Sequence, residues 1–545
     1  MKDSAAGDVS STADAARGDA AQPPVDDAAV DMRRPSDAAA DAGRPSDVGG
    51  SMDASADASR IDISFDSTMP PVNDAAPPPP ETGGGVDAPA PDVGGPRGDA
   101  GCDATLTGVD LFRCQALTYG QAYEHLAELS TSVGPRLAGT AGFTAAVTWA
   151  TNKMTALGLQ NVRTEAVTVP HWERGIGHAE LLGTTERNLA IAALGGSVAT
   201  AAGGLEAEVI EVASVSALSA LSNTQVQGKI VFVNVVTQRT KDASGYSANV
   251  SARRNGPSTA ASKGAAGYIV RSITPATDNA PHTGDMNSTS IPAVAIGVAD
   301  ALVLSDAVKA GTTRVRLTLG CETLANVQTA NVIGEFVGKQ APDEILLVGG
   351  HLDSWDLATG SHDDGAGVVM TMEAARLISV YASDTRRTIR VVLFANEENG
   401  LSGANAYASA HSSELAKHVM ALEADLGGDR VYGATFQAGS AATTVIRDLL
   451  APLAPLGVAT ATAGGDYGSD LGPIRRSGVP VAELPQDLTR YFDFHHAATD
   501  TMAAIDRDAL TQATAAVAVF AYQLGRSSAD FGRSSLTFTA PRYER

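Results

Sequence analysis

ILLVGGHLDSWDLATGSHDDGAG, Ile345–Gly367, is the stretch whose reading decides the fold of this chain. Ile345–Val348 is a short apolar run of the kind that fills a strand buried on both faces. It leads straight into His351 and Asp353. Asp363 follows twelve residues after His351, and Ala366–Ile378 then takes up a helical period. A buried strand, a polar loop and a helix make one α/β unit, in which the polar loop lies at the carboxyl end of the strand.

The same rhythm continues outward. Thr388–Ala395 reads as a strand and ends in FANEENG, Phe394–Gly400; Ala404–His411 is helical. Val419–Ala424 is another strand and ends in ALEADLGG, Ala421–Gly428, and Ala509–Leu524 is a closing amphipathic helix. Upstream, Tyr119–Val133 and Ala141–Leu157 have helical periodicity, and Arg163–Val169 is a strand closing on Pro170. This predicts an α/β three-layer sandwich with a mostly parallel sheet. Residues 186–322 differ: Glu208–Val212 and Lys229–Val236 are short β-rich runs, and Ser262–Val270 is a helix-to-strand unit. That segment reads as a small domain inserted into the larger one. The expected organisation is 111–185 and 323–530 for the two segments of a catalytic domain, 186–322 for the insert and 531–545 for a tail.

Residues 1–101 are of another kind. They are Ala-, Asp-, Pro-, Gly- and Ser-rich, repeat RPSD at Arg34–Asp37 and Arg44–Asp47, and hold no Leu, Tyr or Trp. Too little apolar surface is present to offset chain ordering, so a disordered acidic spacer is expected. It has 19 acids against 7 bases, −12 of the formal net charge of −23. A charge of that sign argues against nucleic-acid or anionic-membrane partners. No apolar run reaches 18 residues, so no transmembrane segment is expected, and the first residues have no signal-peptide pattern. Cys102 and Cys114 either pair in an oxidising compartment or remain free; Cys321 stands alone. The spacer suggests an exported domain held off a surface: extracellular, periplasmic or surface-tethered.

Six metal-seeking positions lie along the α/β part: His351, Asp353, Asp363, the Glu397–Glu398 pair, Asp425 and His496 in FHHAATDT, Phe494–Thr501. Singly, each has a plain explanation. A DD pair caps a helix, an EE pair is a solvated face, and Asp425 serves a turn before Gly427. Jointly, in this order after apolar runs, they supply what two zinc ions about 3.5–4 Å apart require: one bridging carboxylate and imidazole or carboxylate ligands on each side. Asp363 would bridge, His351 and Asp425 would complete one site, and Glu398 and His496 the other. Asp353, two residues from His351 on a strand end, shares its face and can accept the second imidazole N–H. Glu397 is placed to act as general base on a metal-bridging hydroxide.

These residues resemble the co-catalytic di-zinc aminopeptidase superfamily and, within it, the plasma glutamate carboxypeptidase (carboxypeptidase Q) branch. VGPRLAGT at Val133–Thr140, VPHWERG at Val169–Gly175, Ile269–Ser272, PHTG at Pro281–Gly284, GHLDSWD at Gly350–Asp356 and FHHAATDTM at Phe494–Met502 carry the likeness over roughly residues 115–525. The resemblance implies two Zn2+ ions on the ligands named above, Glu397 as base, a protease-associated-like insert at 186–322, a cis peptide between Asp363 and Asp364, and a homodimer. It selects His496 over His495 by its spacing to Asp500. The implied activity is release of residues from dipeptides or short peptides. His362 and Asn396 depart from the pattern, and a third imidazole at 362 would add a ligand or alter substrate fit. Asp470 matches a substrate-side aspartate only loosely. Other readings are a binding module that keeps the fold without catalysis, a glutaminyl cyclase, and a dinuclear deacylase; the last places its lid after the glutamate pair and is disfavoured.

Overall fold

The computed structural model describes residues 101–183, 186–465 and 467–533. The spacer expected at 1–101 lies outside the described residues except for Gly101, and the tail expected at 531–545 is described only to Arg533. Cys102 and Cys114 are joined by a disulfide, and Cys321 is free and buried.

Two eight-stranded sheets organise the described residues. The first runs in the order Gln160–Glu173, Glu322–Phe336, Arg387–Phe394, Ala341–His351, His418–Glu423, Val481–Glu483, Gly433–Gln437, Thr460–Ala463. Its four central strands, Arg387–Phe394 to Val481–Glu483, are mutually parallel; antiparallel pairs flank them. Every residue of Arg387–Phe394 is buried, as a strand covered on both faces requires. Alternation divides the apolar side chains. Leu346, Val348, Val391 and Leu393 join the core beneath helices Ala366–Tyr381 and Arg507–Arg526, whereas Leu347, Val392 and Phe394 pack toward helix Ser402–Ala410. The result is a mixed α/β fold with helices on both faces of a large sheet.

Local chemistry shifts two expected boundaries. The helix expected over Tyr119–Val133 is Ala122–Ser132; Tyr119 instead ends a preceding helix, Gly108–Tyr119, which Gly120 closes. The strand expected to close on Pro170 continues to Glu173. Its register with Glu322–Phe336 slips between Val169 and His171, so the residue without an N–H sits at the irregularity and the ladder resumes beyond it.

The second sheet is built from strands between Gly177 and Leu319, in the order Arg187–Leu189, Gly177–Leu182, Arg314–Leu319, Leu205–Val212, Ile230–Val233, Gly267–Arg271, Ala293–Ile296, Ile191–Ala193. Apolar side chains cover both of its faces. Leu426, Leu488, Tyr491 and Phe492 from the far end of the chain join one of these cores, and Leu137, Trp172 and Trp355 join the other. The two sheets are therefore packed through shared apolar residues close to His351 and His496. Among the described residues no helix is long and apolar enough to cross a membrane.

Candidate metal centre

The carboxyl ends of the central parallel strands deliver the site. His351 is the last residue of its strand; Glu397 and Glu398 follow the strand ending at Phe394; Asp425 follows the strand ending at Glu423. Asp363 precedes the buried helix Ala366–Tyr381, and His496 sits on a loop with φ 63°. The Asp363–Asp364 peptide is cis. The two aspartates divide their work. Asp364 accepts from Gly367 N at 3.0 Å and from His351 N at 3.1 Å, capping the helix and tying it to the strand end, while Asp363 faces the other acids and imidazoles.

His351 Nε2 lies 3.2 Å from Asp363 Oδ1 and 3.3 Å from Asp425 Oδ1. His496 Nε2 lies 3.2 Å from Asp363 Oδ2 and 3.1 Å from Glu398 Oε2. Asp363 thus turns one oxygen to each imidazole. Asp363 Oδ2 and Glu398 Oε1 are buried with no hydrogen-bond partner. Each imidazole has its other nitrogen against a main-chain carbonyl: His351 Nδ1 on Asp353 O at 3.1 Å and His496 Nδ1 on Thr283 O at 3.2 Å. That arrangement fixes the proton on Nδ1 and frees both Nε2 atoms for a cation. Potential ligand atoms of His351, Asp363 and Glu398 all fall within 4.8 Å of one another, as do those of His351, Asp364 and Asp425, and those of Asp363, His495 and His496. A nitrogen and oxygen donor set of this kind, with orphaned carboxylate oxygens, fits divalent zinc.

The electrostatics agree. Burial opposes the charge on His351, but Asp425 and Asp363 hold it well above the usual imidazole range. Burial likewise opposes His496, and Glu398 with Asp363 raises it to about 9. Glu398 is pushed to about 7 by burial and the neighbouring Asp363. Glu397 lies well above the usual range through burial and the charges of Asp425 and Glu398, against the pull of His351. So many acids in one buried place need cations, and cations would pull each of them back down. His495, stacked on His496 with ring centres 3.5 Å apart, is held well below its usual range by burial and by His496. Its Nε2 stays 3.6 Å from Asp363 Oδ2, further than that of His496.

Asp353 is at the site but in a different posture from that expected. Its carboxylate is 3.8 Å from His351 Nδ1, and its main-chain carbonyl takes that N–H instead. The carboxylate accepts from the amides of Glu397 at 3.1 Å and Glu398 at 3.3 Å. The strand-end geometry that brings residues 351 and 353 to one face also brings the next strand's turn within reach, and two amide donors take the carboxylate. His362 does not add a ligand. Its Nδ1 accepts from Gly428 N at 3.1 Å, its Nε2 reaches Ala504 O, and its ring lies flat on Phe494. Asn396 occupies a left-handed position, φ 66°, which asparagine tolerates, and donates to Asn399 O and Ser402 Oγ.

Other residues of the site gave no sign of their role. Asp500 accepts from His362 N at 2.7 Å and Asp363 N at 3.1 Å; Arg136, fully buried, donates to the carbonyls of Leu352, Thr359 and Gly360. Both hold the loop that presents Asp363, and their only signals were VGPRLAGT and the DT of FHHAATDT. A cavity of about 360 Å³ opens over the cluster, lined by Asp363, Glu397, Glu398, Asp425 and His496 and, from the second sheet's side, by Tyr246, Arg253, Arg254 and Asp285.

The model of Peptidase family M28 matches residues 331–521. Mouse carboxypeptidase Q is 35% identical over 407 residues, 74% of this chain and 85% of that protein. The chain belongs to peptidase family M28. It is a metallopeptidase and a relative of carboxypeptidase Q. A peptidase M28 precursor from Shewanella amazonensis SB2B superposes with a TM-score of 0.77 at 38% identity, over 78% of this chain and 98% of that one. BSAP, a zinc aminopeptidase from Bacillus subtilis, shares the fold with a TM-score of 0.56 at 21% identity, over 76% of this chain and 97% of that one.

Proposed function

We propose that this M28 peptidase is a di-zinc exopeptidase acting on dipeptides or short peptides. The observation that supports it best is the placement of Asp363, with one oxygen toward His351 and the other toward His496. His351, Asp425 and Asp363 would hold one ion, and Glu398, His496 and Asp363 the second. Zinc there supplies Lewis acidity, polarising the scissile carbonyl and making water a usable nucleophile near neutral pH. Glu397 takes the proton of the attacking water and returns it to the leaving amine nitrogen. Its place on the cavity wall beside Glu398 suits both transfers. Asp353 positions the Glu397–Glu398 turn through its two amide bonds.

Residues 186–322, which hold every strand of the second sheet except Gly177–Leu182, are in this reading a protease-associated-like domain set into the catalytic domain. The Cys102–Cys114 disulfide favours an oxidising location outside the cytosol. The homodimer implied by the resemblance belongs to the same proposal, and light scattering reads it. The test of the mechanism is Glu397→Ala. The variant should keep wild-type zinc content and lose about 10²- to 10⁴-fold in kcat. Retained turnover would remove Glu397 from the reaction.

A further inference from the structure

The loop that carries His496 is held from the second sheet. His496 has φ 63°, a left-handed backbone that a residue with a side chain keeps only where its surroundings enforce it. Two peptide planes meet at its Cα. The plane before it presents His495 O, which accepts from His282 Nδ1 at 2.6 Å. The plane after it presents His496 O, which accepts from Thr283 N at 2.9 Å. Ala497 then pairs antiparallel with His282 as an isolated bridge. Holding the first plane holds φ of His496 and holding the second holds ψ; together they aim its Cα–Cβ bond. His282 is itself anchored. Its N donates to Ser272 Oγ at 2.9 Å, and Ser272 is bonded through both N and Oγ to Ile296 O at the end of strand Ala293–Ile296. Thr283 Oγ1 donates to Ala193 O at 2.7 Å, on the strand paired with that one.

We propose that His282 is a positioning residue of the metal centre: from the second sheet it sets the backbone of His496, so that the Glu398–His496 zinc site depends on an imidazole that is not one of its ligands. The inference rests on the di-zinc reading above. A carbonyl oxygen only accepts, so Nδ1 of His282 carries the hydrogen in its bond to His495 O. The ring is buried, and its Nε2 has no partner. A buried nitrogen left unpaired is costly. An apolar side chain would fill the same space without that cost, so packing does not account for an imidazole here, whereas the Nδ1 bond does. The metal centre is sensitive to what that bond controls. His496 Nε2 sits 3.2 Å from Asp363 Oδ2 and 3.1 Å from Glu398 Oε2. Zinc–ligand distances vary by only about 0.2 Å. A small rotation of the peptide plane between His495 and His496 is therefore enough to take the imidazole off the metal.

The experiment measures zinc per chain on the full chain against a graded competing chelator, with no reference to turnover. Wild type should hold two ions. In His282→Ala one of them should bind roughly 10- to 100-fold more weakly, while the other is held as in wild type. His282→Asn should recover most of the loss, because the asparagine amide nitrogen is bonded to Cγ as Nδ1 is. His282→Gln should not, because its amide nitrogen lies one bond further out, in the place of Nε2. Loss of packing alone would lower the thermal midpoint, weaken both ions together or neither, and leave His282→Asn and His282→Gln alike. Two ions held as in wild type by His282→Ala, or His282→Asn and His282→Gln that cannot be told apart, overturn the assignment while the di-zinc reading stands. Should His282→Ala not fold, the comparison of His282→Asn with His282→Gln decides alone. Fewer than two ions in wild type removes the di-zinc reading and this inference with it.

Discussion

At the scale of single residues, the site separates neighbours that look alike in the chain. His495 and His496 are adjacent, yet only His496 stands near 3 Å from both Asp363 and Glu398. His496→Ala should therefore lose about one zinc per chain and nearly all activity, while His495→Ala should keep its metal. Metal analysis of the two variants checks this, and equal losses would reject the distinction. Asp353 gives a second case. Asparagine offers one acceptor oxygen where the carboxylate offers two, so Asp353→Asn leaves an amide of Glu397 or Glu398 unpaired. That should cost about 1–3 kcal/mol in stability and lower kcat by misplacing Glu397. Chemical denaturation and steady-state kinetics read the two effects separately. His351, Glu398 and Asp425 were legible as candidate ligands because each follows an apolar strand. The posture of Asp353 was not, because the amides that claim it lie some 44 residues further along the chain.

At the scale of elements, what was readable was period, and what was hidden was docking. The strand before His351 and the helix after Asp363 announce themselves by apolar pattern alone. The strand carrying Pro170 ran past its expected end because a bulge accommodates a missing donor, which a proline rule applied locally does not foresee. Arg253 and Arg254 in sequence are an ordinary basic pair at a helix end. Only the packing of the second sheet against Tyr491 and Phe492 brings Arg253 against His496 and both arginines to the cavity. Arg136 shows the same dependence, since its three carbonyl partners belong to the loop between His351 and Asp363. Arg136→Ala strips those carbonyls of their donor, at about 1–3 kcal/mol for each that stays buried and unpaired. We expect a large fall in thermal midpoint and weakened zinc binding. An unchanged midpoint would mean that the loop holds its shape without the arginine.

At the scale of the whole molecule, the cluster makes stability depend jointly on metal and pH. In the metal-free protein His496 sits at about 9 and Glu398 at about 7, both above their unfolded values near 6.5 and 4.5. A raised group contributes stability that is complete below its unfolded value and lost as pH passes its folded value. Chelated protein should thus lose stability from about pH 4.5 to 7 through Glu398 and from about pH 6.5 to 9 through His496. Zinc must displace those protons, so its apparent affinity should rise over the same range. Thermal midpoints measured with and without chelator should diverge as pH increases; parallel curves would contradict the linkage. At a thousand-fold excess over its dissociation constant, zinc would add about 4 kcal/mol.

The account depends on five side chains gathering two cations around Asp363. Anomalous diffraction at the zinc edge from crystals of the full chain tests this most directly. We predict two peaks about 3.5–4 Å apart with Asp363 between them, His351 and Asp425 on one, Glu398 and His496 on the other. A single peak, or a pair that does not share Asp363, would contradict it.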